Sequence, residues 1–370
     1  MKHQSLYLDW YIHTPSLKYD FRSSGLGHFE CNLMLGHVDL NINYAYGNPD
    51  VAKQLAQRYG VQPENVFISS EGASGQNNRI IRCIAEKSKK RKEAIVEFPT
   101  YEPLLRQVQE HFPHVKRLER NEKSYGLDAD ALRKIVSGRT ALLVLTNPHA
   151  PSGAISNTNE LKEIMTVASE NGFYVLCDEI YAEFDRNVIP TVFSVNTDFG
   201  IATTSFTKAY GLGGLKLGVA IAKKNFVNEL YTDVLNTVGN SPNIVQLIAA
   251  ELLTKGREDL EKHKQKWISL KKETEGWLNE KGFEYFPNKS GITYWVKVPI
   301  KDTYKWIDDY VIPKYSLAAV PGAFFLFKNN RKLIKSNMMR LGLGSINPDK
   351  PNLNEALGVL EKAIVTYKQT

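Results

Sequence analysis

Lys208 stands just past an apolar and β-branched run, Ile201-Ala-Thr-Thr-Ser-Phe206, and ahead of the glycine-rich segment Gly211-Leu-Gly-Gly-Leu-Lys-Leu-Gly218. Such a run reads as a short buried strand, which puts the lysine at its exit. A lone lysine there ordinarily snorkels to water. A second apolar run, Phe173-Tyr-Val-Leu-Cys177, changes the reading because it leads directly into Asp178-Glu-Ile-Tyr181. A carboxylate at the end of a buried strand is costly to desolvate unless a cation meets it. Arg340 poses the same question with the opposite sign. Flanked by Met339 and Leu341 in an apolar strand, it calls for an anion, and a planar carboxylate would fit its fork. Strict alternation would instead turn Arg340 to solvent.

An amine and a carboxylate so placed fit one chemistry: pyridoxal 5'-phosphate held as a Schiff base on Lys208, its ring nitrogen kept protonated by Asp178. With Asn147-Pro148, Pro151-Ser-Gly153, Asp178-Glu-Ile-Tyr181, Ser205-Phe-Thr-Lys208 and Met339-Arg-Leu341, the chain resembles the class I/II aminotransferases, fold-type I pyridoxal-phosphate enzymes. The motifs keep the family's order between residues 46 and 344.

That resemblance implies an α/β fold: a large domain, residues 36–261, with a mostly parallel sheet between helices, and a smaller α+β domain formed by 1–35 and 262–370. It implies Lys208, Asp178 and Tyr181 as the catalytic group. Gly72, Ala73 and Ser74 would cradle the cofactor phosphate, with Ser205 and Lys216 beside them, and Tyr101 would stack on the ring. Lys216 stands where the family generally has an arginine, so a point charge replaces a fork. Asn147 would donate to the cofactor's phenolic oxygen with Tyr181 as companion, and Arg340, Gly25 and Asn147 would hold the substrate. Tyr46, or else Tyr44, would reach the phosphate of the neighbouring subunit in a homodimer. The implied reaction moves the amino group of an L-amino acid to a 2-oxo acid. A lyase or decarboxylase on the same scaffold is the alternative.

The elements that must position these groups alternate strand and helix. The stretch from Val66 to Gly75 reads as a strand leading through small residues into a helix from about Gln76 to Glu86, and small residues at a helix start let backbone N–H groups meet a phosphate. Glu71 at its edge is an awkward second negative charge. Ala94–Phe98 and Ala141–Leu145 read as strands, Asp128–Val136 and Asn157–Asn171 as helices, and Val51–Tyr59 as a helix with Asp50 as N-cap. In such a βαβ series function gathers at the strands' C-terminal ends. The segment 211–218 is no dinucleotide fingerprint, since it precedes a strand, Val219–Ala222, instead of opening a helix. Helices follow at 225–235, 242–254 and 256–281, strands at 283–286, 292–298, 317–320 and from Met339, and a closing helix at 353–367. Residues 1–35 carry no clear period; Arg22 in the loop Asp20–Gly25 is a candidate contact for a substrate's distal anion.

Composition limits the partners. A chain of 370 residues with 42% hydrophobic and 24% charged content is ordinary for a globular protein. The net charge of +7 is diffuse apart from Lys87-Ser-Lys-Lys-Arg-Lys92, a solvated helix end, and no nucleic-acid-binding signature accompanies it. Cys31, Cys83 and Cys177 are too far apart for a disulfide framework or zinc site. No run approaches membrane-spanning length, and the start lacks a secretory pattern, so the expected setting is cytoplasmic. The substrate's side chain stays open: Asn236–Pro242, where dicarboxylate-specific relatives often carry an arginine, has none.

Overall fold

A computed structural model describes residues 5–27, 29, 36, 38–39, 41, 44–185, 187, 189–328, 332–349 and 352–367. Seven strands form one sheet: β2 (Val66–Ser69), β3 (Glu93–Phe98), β4 (His114–Glu119), β5 (Thr140–Thr146), β6 (Tyr174–Asp178), β7 (Gly200–Ser205) and β8 (Gly218–Ile221). Their order is β2-β8-β7-β6-β5-β3-β4, parallel throughout except for β8. The apolar runs are continuous because both faces are covered. Leu142 and Val144 join one apolar cluster while Leu143 and Leu145 join the other, the period-two division of a strand between two helical layers.

A second sheet gathers β1 (Tyr19–Phe21), β9 (Tyr285–Phe286), β10 (Thr293–Lys297), β11 (Leu317–Pro321) and β12 (Met338–Gly342) in the order β1-β11-β12-β10-β9. The strand β1 pairs parallel to β11, Tyr19 opposite Leu317. Before it lies α1 (Leu6–His13), capped by Ser5. Both elements lie in the stretch 1–35 that carries no clear period, and β1 takes Asp20 and Phe21 out of the expected loop Asp20–Gly25. The helix buries Tyr7 and Trp10, and the Glu102 carboxylate accepts from the amides of Leu6 and Tyr7 and from the Ser5 hydroxyl. A buried anion thus satisfies the first-turn donors of α1.

Helix α2 (Pro49–Tyr59) is capped by Asn48, not Asp50: Asn48 accepts from the amides of Asp50 and Val51, and Pro49 takes the first helical position, where no N–H is needed. Helix α3 (Gly72–Lys87) begins earlier than Gln76, directly after β2. The basic run at its end is not wholly solvated, since Arg91 donates to the carbonyls of Asn171 and Gly172 at the C-terminus of helix Thr158–Asn171. Helix α4 (Glu102–His111) follows β3. Cys177 is buried and Cys83 half-buried, both free thiols; Cys31 lies outside the described residues.

Candidate active site

Chain reversals after β2, β3, β5, β6 and β7 bring Gly72, Tyr101, Asn147, Tyr181 and Lys208 to the same edge of the seven-stranded sheet. Asp178 ends β6 and Lys208 follows β7, and β6 and β7 are neighbours, with Asp178 opposite Thr203. The lysine is held from the other side by the N-terminal arm: Leu26 N–H donates to the Lys208 carbonyl at 2.8 Å. A Cβ on Gly25 would lie 2.9 Å from Lys208 Cδ and 3.1 Å from its Cα, so only glycine lets the arm lie this close.

Burial pushes the Lys208 ammonium below the ordinary lysine range, aided by the positive charges of Arg340 and Lys216 and opposed by Tyr7 and Asp178. Burial pushes the Asp178 carboxyl up, while the Ile180 amide, the Asn77 side chain and Lys208 resist it. Burial thus disfavours both charges, and each group's charge offsets part of that penalty for the other.

Arg340 lies on β12 between Val320 and Trp295 and is 3% exposed, so alternation does not turn it to solvent. Its Nη2 donates to the Tyr7 hydroxyl at 3.2 Å and to the Arg22 carbonyl at 2.8 Å, and its guanidinium lies 5.4 Å from the Phe325 ring centroid. Its Nε is buried without an acceptor. Burial works against its charge, yet Tyr7, Tyr181 and Tyr101 leave it above the usual arginine value. An orphan N–H on a buried cation is expensive unless an anion arrives.

At the start of α3 the Gly72 amide donates to the Lys216 carbonyl, so this residue adds a left-handed turn (φ +64°) and not a free N–H. Ala73 and Ser74 are left as first-turn amides without intrahelical acceptors, and the buried Ser70 hydroxyl just before them has no partner. Glu71 does not disturb this cradle because Arg79 takes its carboxylate at 2.7 Å while also pairing with Asp233. Lys216 is exposed and itself left-handed (φ +51°). Ser205 Oγ donates to Thr207 Oγ1 at 2.9 Å.

The Asn147 amide donates to the Ser156 carbonyl at 3.2 Å and accepts from the Ser156 amide at 2.9 Å, which pins the turn after β5. Tyr181 has its carbonyl bound by Ser290 Oγ at 3.1 Å, and the Tyr101 ring stands edge-on to Tyr7, centroids 5.7 Å apart. Arg22 is not available to a distal anion, because Asp20 occupies its fork at 2.9 and 3.0 Å and Nη1 donates to the Tyr11 carbonyl. Tyr46 is 59% exposed and its ring stands edge-on to Tyr231, centroids 5.4 Å apart; Tyr44 is half-buried.

Two residues of the site have no sequence motif. Tyr7 reaches Arg340 across 333 positions and Asn77 reaches Asp178 across 101. The spacing of Leu6, Tyr7, Trp10 and Tyr11 after Ser5 is a helical stripe that could have revealed α1; nothing local reveals its partner.

A family model described as aminotransferase class I and II matches residues 37–349. Histidinol-phosphate aminotransferase 2 of Pasteurella multocida is 25% identical over 266 residues, 69% of this chain and 68% of that protein. Histidinol-phosphate aminotransferase of Haloferax volcanii is 27% identical over 233 residues, 62% of this chain and 61% of that protein. The matched stretches therefore span only about two thirds of the length of these curated relatives. In fold, the chain is similar to a PLP-dependent aminotransferase from Streptococcus suis, with a TM-score of 0.81 over 100% of both chains at 23% identity.

Proposed function

The chain belongs to the class I and II aminotransferases, and from that premise we propose that it transfers the amino group of an L-amino acid to a 2-oxo acid with pyridoxal 5'-phosphate. One observation carries this reading: a desolvated lysine and a desolvated carboxylate at the edge of the seven-stranded sheet lie within electrostatic reach of a buried arginine of the second sheet that has an orphan N–H. The residues suit the cofactor. Ala73 and Ser74 offer amides to a phosphate, with Lys216 as the nearby positive charge, and Tyr101 offers a ring face. When bound, pyridoxal phosphate supplies an aldehyde that condenses with amines and a ring that accepts electron density from the substrate.

In this proposal Lys208 Nζ holds the resting cofactor. Arg340 grips the substrate carboxylate through the N–H groups left free by Tyr7 and Arg22. Asp178 keeps a proton on the ring nitrogen. Lys208, once released, would take the proton from the substrate Cα as a base and deliver it as an acid to the carbon that had been the cofactor's aldehyde; burial favours its neutral amine. Gly25 and Leu26 keep the lysine in line, and Tyr181 and Asn147 close the side of the site near β5 and β6.

The residues 36–261 are proposed as the cofactor domain and 1–35 with 262–370 as the smaller domain. A homodimer is proposed as well, supported by Tyr46, Leu235 and Val238, which are 59%, 41% and 59% exposed around Tyr231 and the helix that carries it. Tyr46 would then serve the neighbouring site. Among the described residues no helix is long and apolar enough to cross a membrane. A cytoplasmic setting is proposed on the free thiols of Cys83 and Cys177.

The reaction is tested by giving the purified protein single amino acids with no 2-oxo acid. An aminotransferase stops after one equivalent of 2-oxo acid per site, with the cofactor converted to its amine form. Continuous release of ammonia or carbon dioxide would replace this reading with a lyase or decarboxylase. The role of Arg340 is tested by Arg340→Lys, which should lower kcat/KM for amino acids about ten- to a hundredfold, since a point charge replaces a fork. Cofactor occupancy should be unchanged; loss of cofactor instead would assign Arg340 to structure or to the phosphate.

A further inference from the structure

We propose that Asn77 is a positioning residue for this reaction: its amide, oriented by Thr203, holds the Asp178 carboxylate and keeps it a weak base, so that the proton between Asp178 and the cofactor ring nitrogen stays on the ring. The inference rests on the reading of Asp178 given above.

Asn77 sits on the face of α3 that also carries Ile80, Ile81 and Ile84, all buried, and is itself 2% exposed. That face would pack best with another apolar side chain. Asparagine is a poorer helix former than leucine or alanine and must have partners when buried. Its partners are specific. Nδ2 donates to Asp178 Oδ2 at 2.7 Å, and Oδ1 accepts from the Thr203 hydroxyl at 2.5 Å. An ionised carboxylate only accepts, so the amide must turn its NH2 to Asp178, and the Thr203 hydroxyl satisfies the oxygen left on the other side. Thr203 is the register partner of Asp178 on the adjoining strand, so one helix and two strands close the triangle.

The other oxygen, Oδ1, accepts from the Ile180 amide at 3.0 Å. Lys208 faces the same carboxylate, and Tyr101 and Cys177 are close enough to feel its charge. The Asn77 amide is thus a neutral side-chain donor that, with the Ile180 N–H on the other oxygen, stabilises the anion without competing for a proton. A donor to an ionised acceptor is worth about ten- to a hundredfold in the proton equilibrium. Without it Asp178 becomes the stronger base and draws the proton off the ring.

The test is Asn77→Leu, close in size but unable to donate, in the full chain. Carbon-13 titration of the Asp178 carboxyl in the cofactor-free protein should move up by about one to two pH units, the same ten- to hundredfold. With pyridoxal phosphate labelled at the ring with nitrogen-15, the ring signal should move from the pyridinium toward the neutral pyridine position. Thr203→Val should shift both in the same direction by less, and Asn77→Ser, which restores a donor, should recover part of the loss. An Asp178 titration and ring signal that stay at wild-type values in Asn77→Leu overturn the proposal; if that variant does not fold, wild-type values in Thr203→Val do so. Failure of the wild-type protein to take up the cofactor would instead overturn the functional reading, and the cofactor-free titration would separate the two.

Discussion

Replacing Lys208 by alanine is expected to abolish amino transfer while leaving a folded chain that still takes up cofactor without a covalent bond. The side chain is half-buried at the end of β7, and burial already disfavours its charge, so its removal costs the fold little. The arm does not depend on it either, because Leu26 binds the Lys208 backbone carbonyl and not the amine. What would disappear, on the roles proposed for Lys208, is both the covalent anchor and the base that moves the Cα proton. General acid–base catalysis alone is worth about 10²–10⁴-fold, and with the anchor lost as well single-turnover transfer should fall by about 10⁴-fold or more. Borohydride reduction of the wild-type protein followed by peptide mapping should mark Lys208. Residual transfer within tenfold of wild type, or a mark on Lys216, would end the assignment.

Asp178→Ala should produce the second largest loss. Its carboxylate is the one negative group that Lys208, the Ile180 amide and the Asn77 amide all address. Removing a preorganised charge partner of this kind costs about 10²–10³-fold in rate, and the loss should fall on the Cα proton step, read by single-turnover kinetics with substrate deuterated at Cα. Stability should also drop, by about 1–3 kcal/mol, because the Asn77 amide and Ile180 N–H lose their acceptor in a part-buried site. A rate unchanged from wild type would remove Asp178 from the mechanism even if the melting temperature fell.

Much of this was legible in the chain itself, for a physical reason. Where a buried parallel strand ends, the apolar run stops abruptly and the next residue is chosen for chemistry, so Asp178 after Phe173–Cys177 and Lys208 after Ile201–Phe206 stand out. Arg340 stood out because a cation among apolar neighbours has no inexpensive explanation. The helix cap at Asn48 was misplaced by two residues because Asp50 is also a capping type, and only the tertiary path shows that Pro49 already lies inside the helix. The N-terminal helix escaped because its stripe is short, and its first amides are satisfied by Glu102, a residue nearly a hundred positions away. Tyr7 and Asn77 escaped for the same reason: their importance lies in contacts that no spacing encodes.

The parallel pairing of β1 with β11 bears on how the molecule comes to exist. Tyr19 cannot meet Leu317 until nearly all of the chain has been synthesised, whereas the seven-stranded sheet needs only residues 66–221. Closing so long a loop carries an entropic cost that grows slowly with length, and contacts of such separation form late. The arm that lays Gly25 and Leu26 on Lys208 follows directly from β1. During synthesis, then, the lysine edge should stand open on a folded sheet until β11 emerges and draws the arm across it. In refolding with pulsed hydrogen exchange, the amide of Leu26 should gain protection after those of β5; protection at the same time would mean that the arm docks without its partner strand.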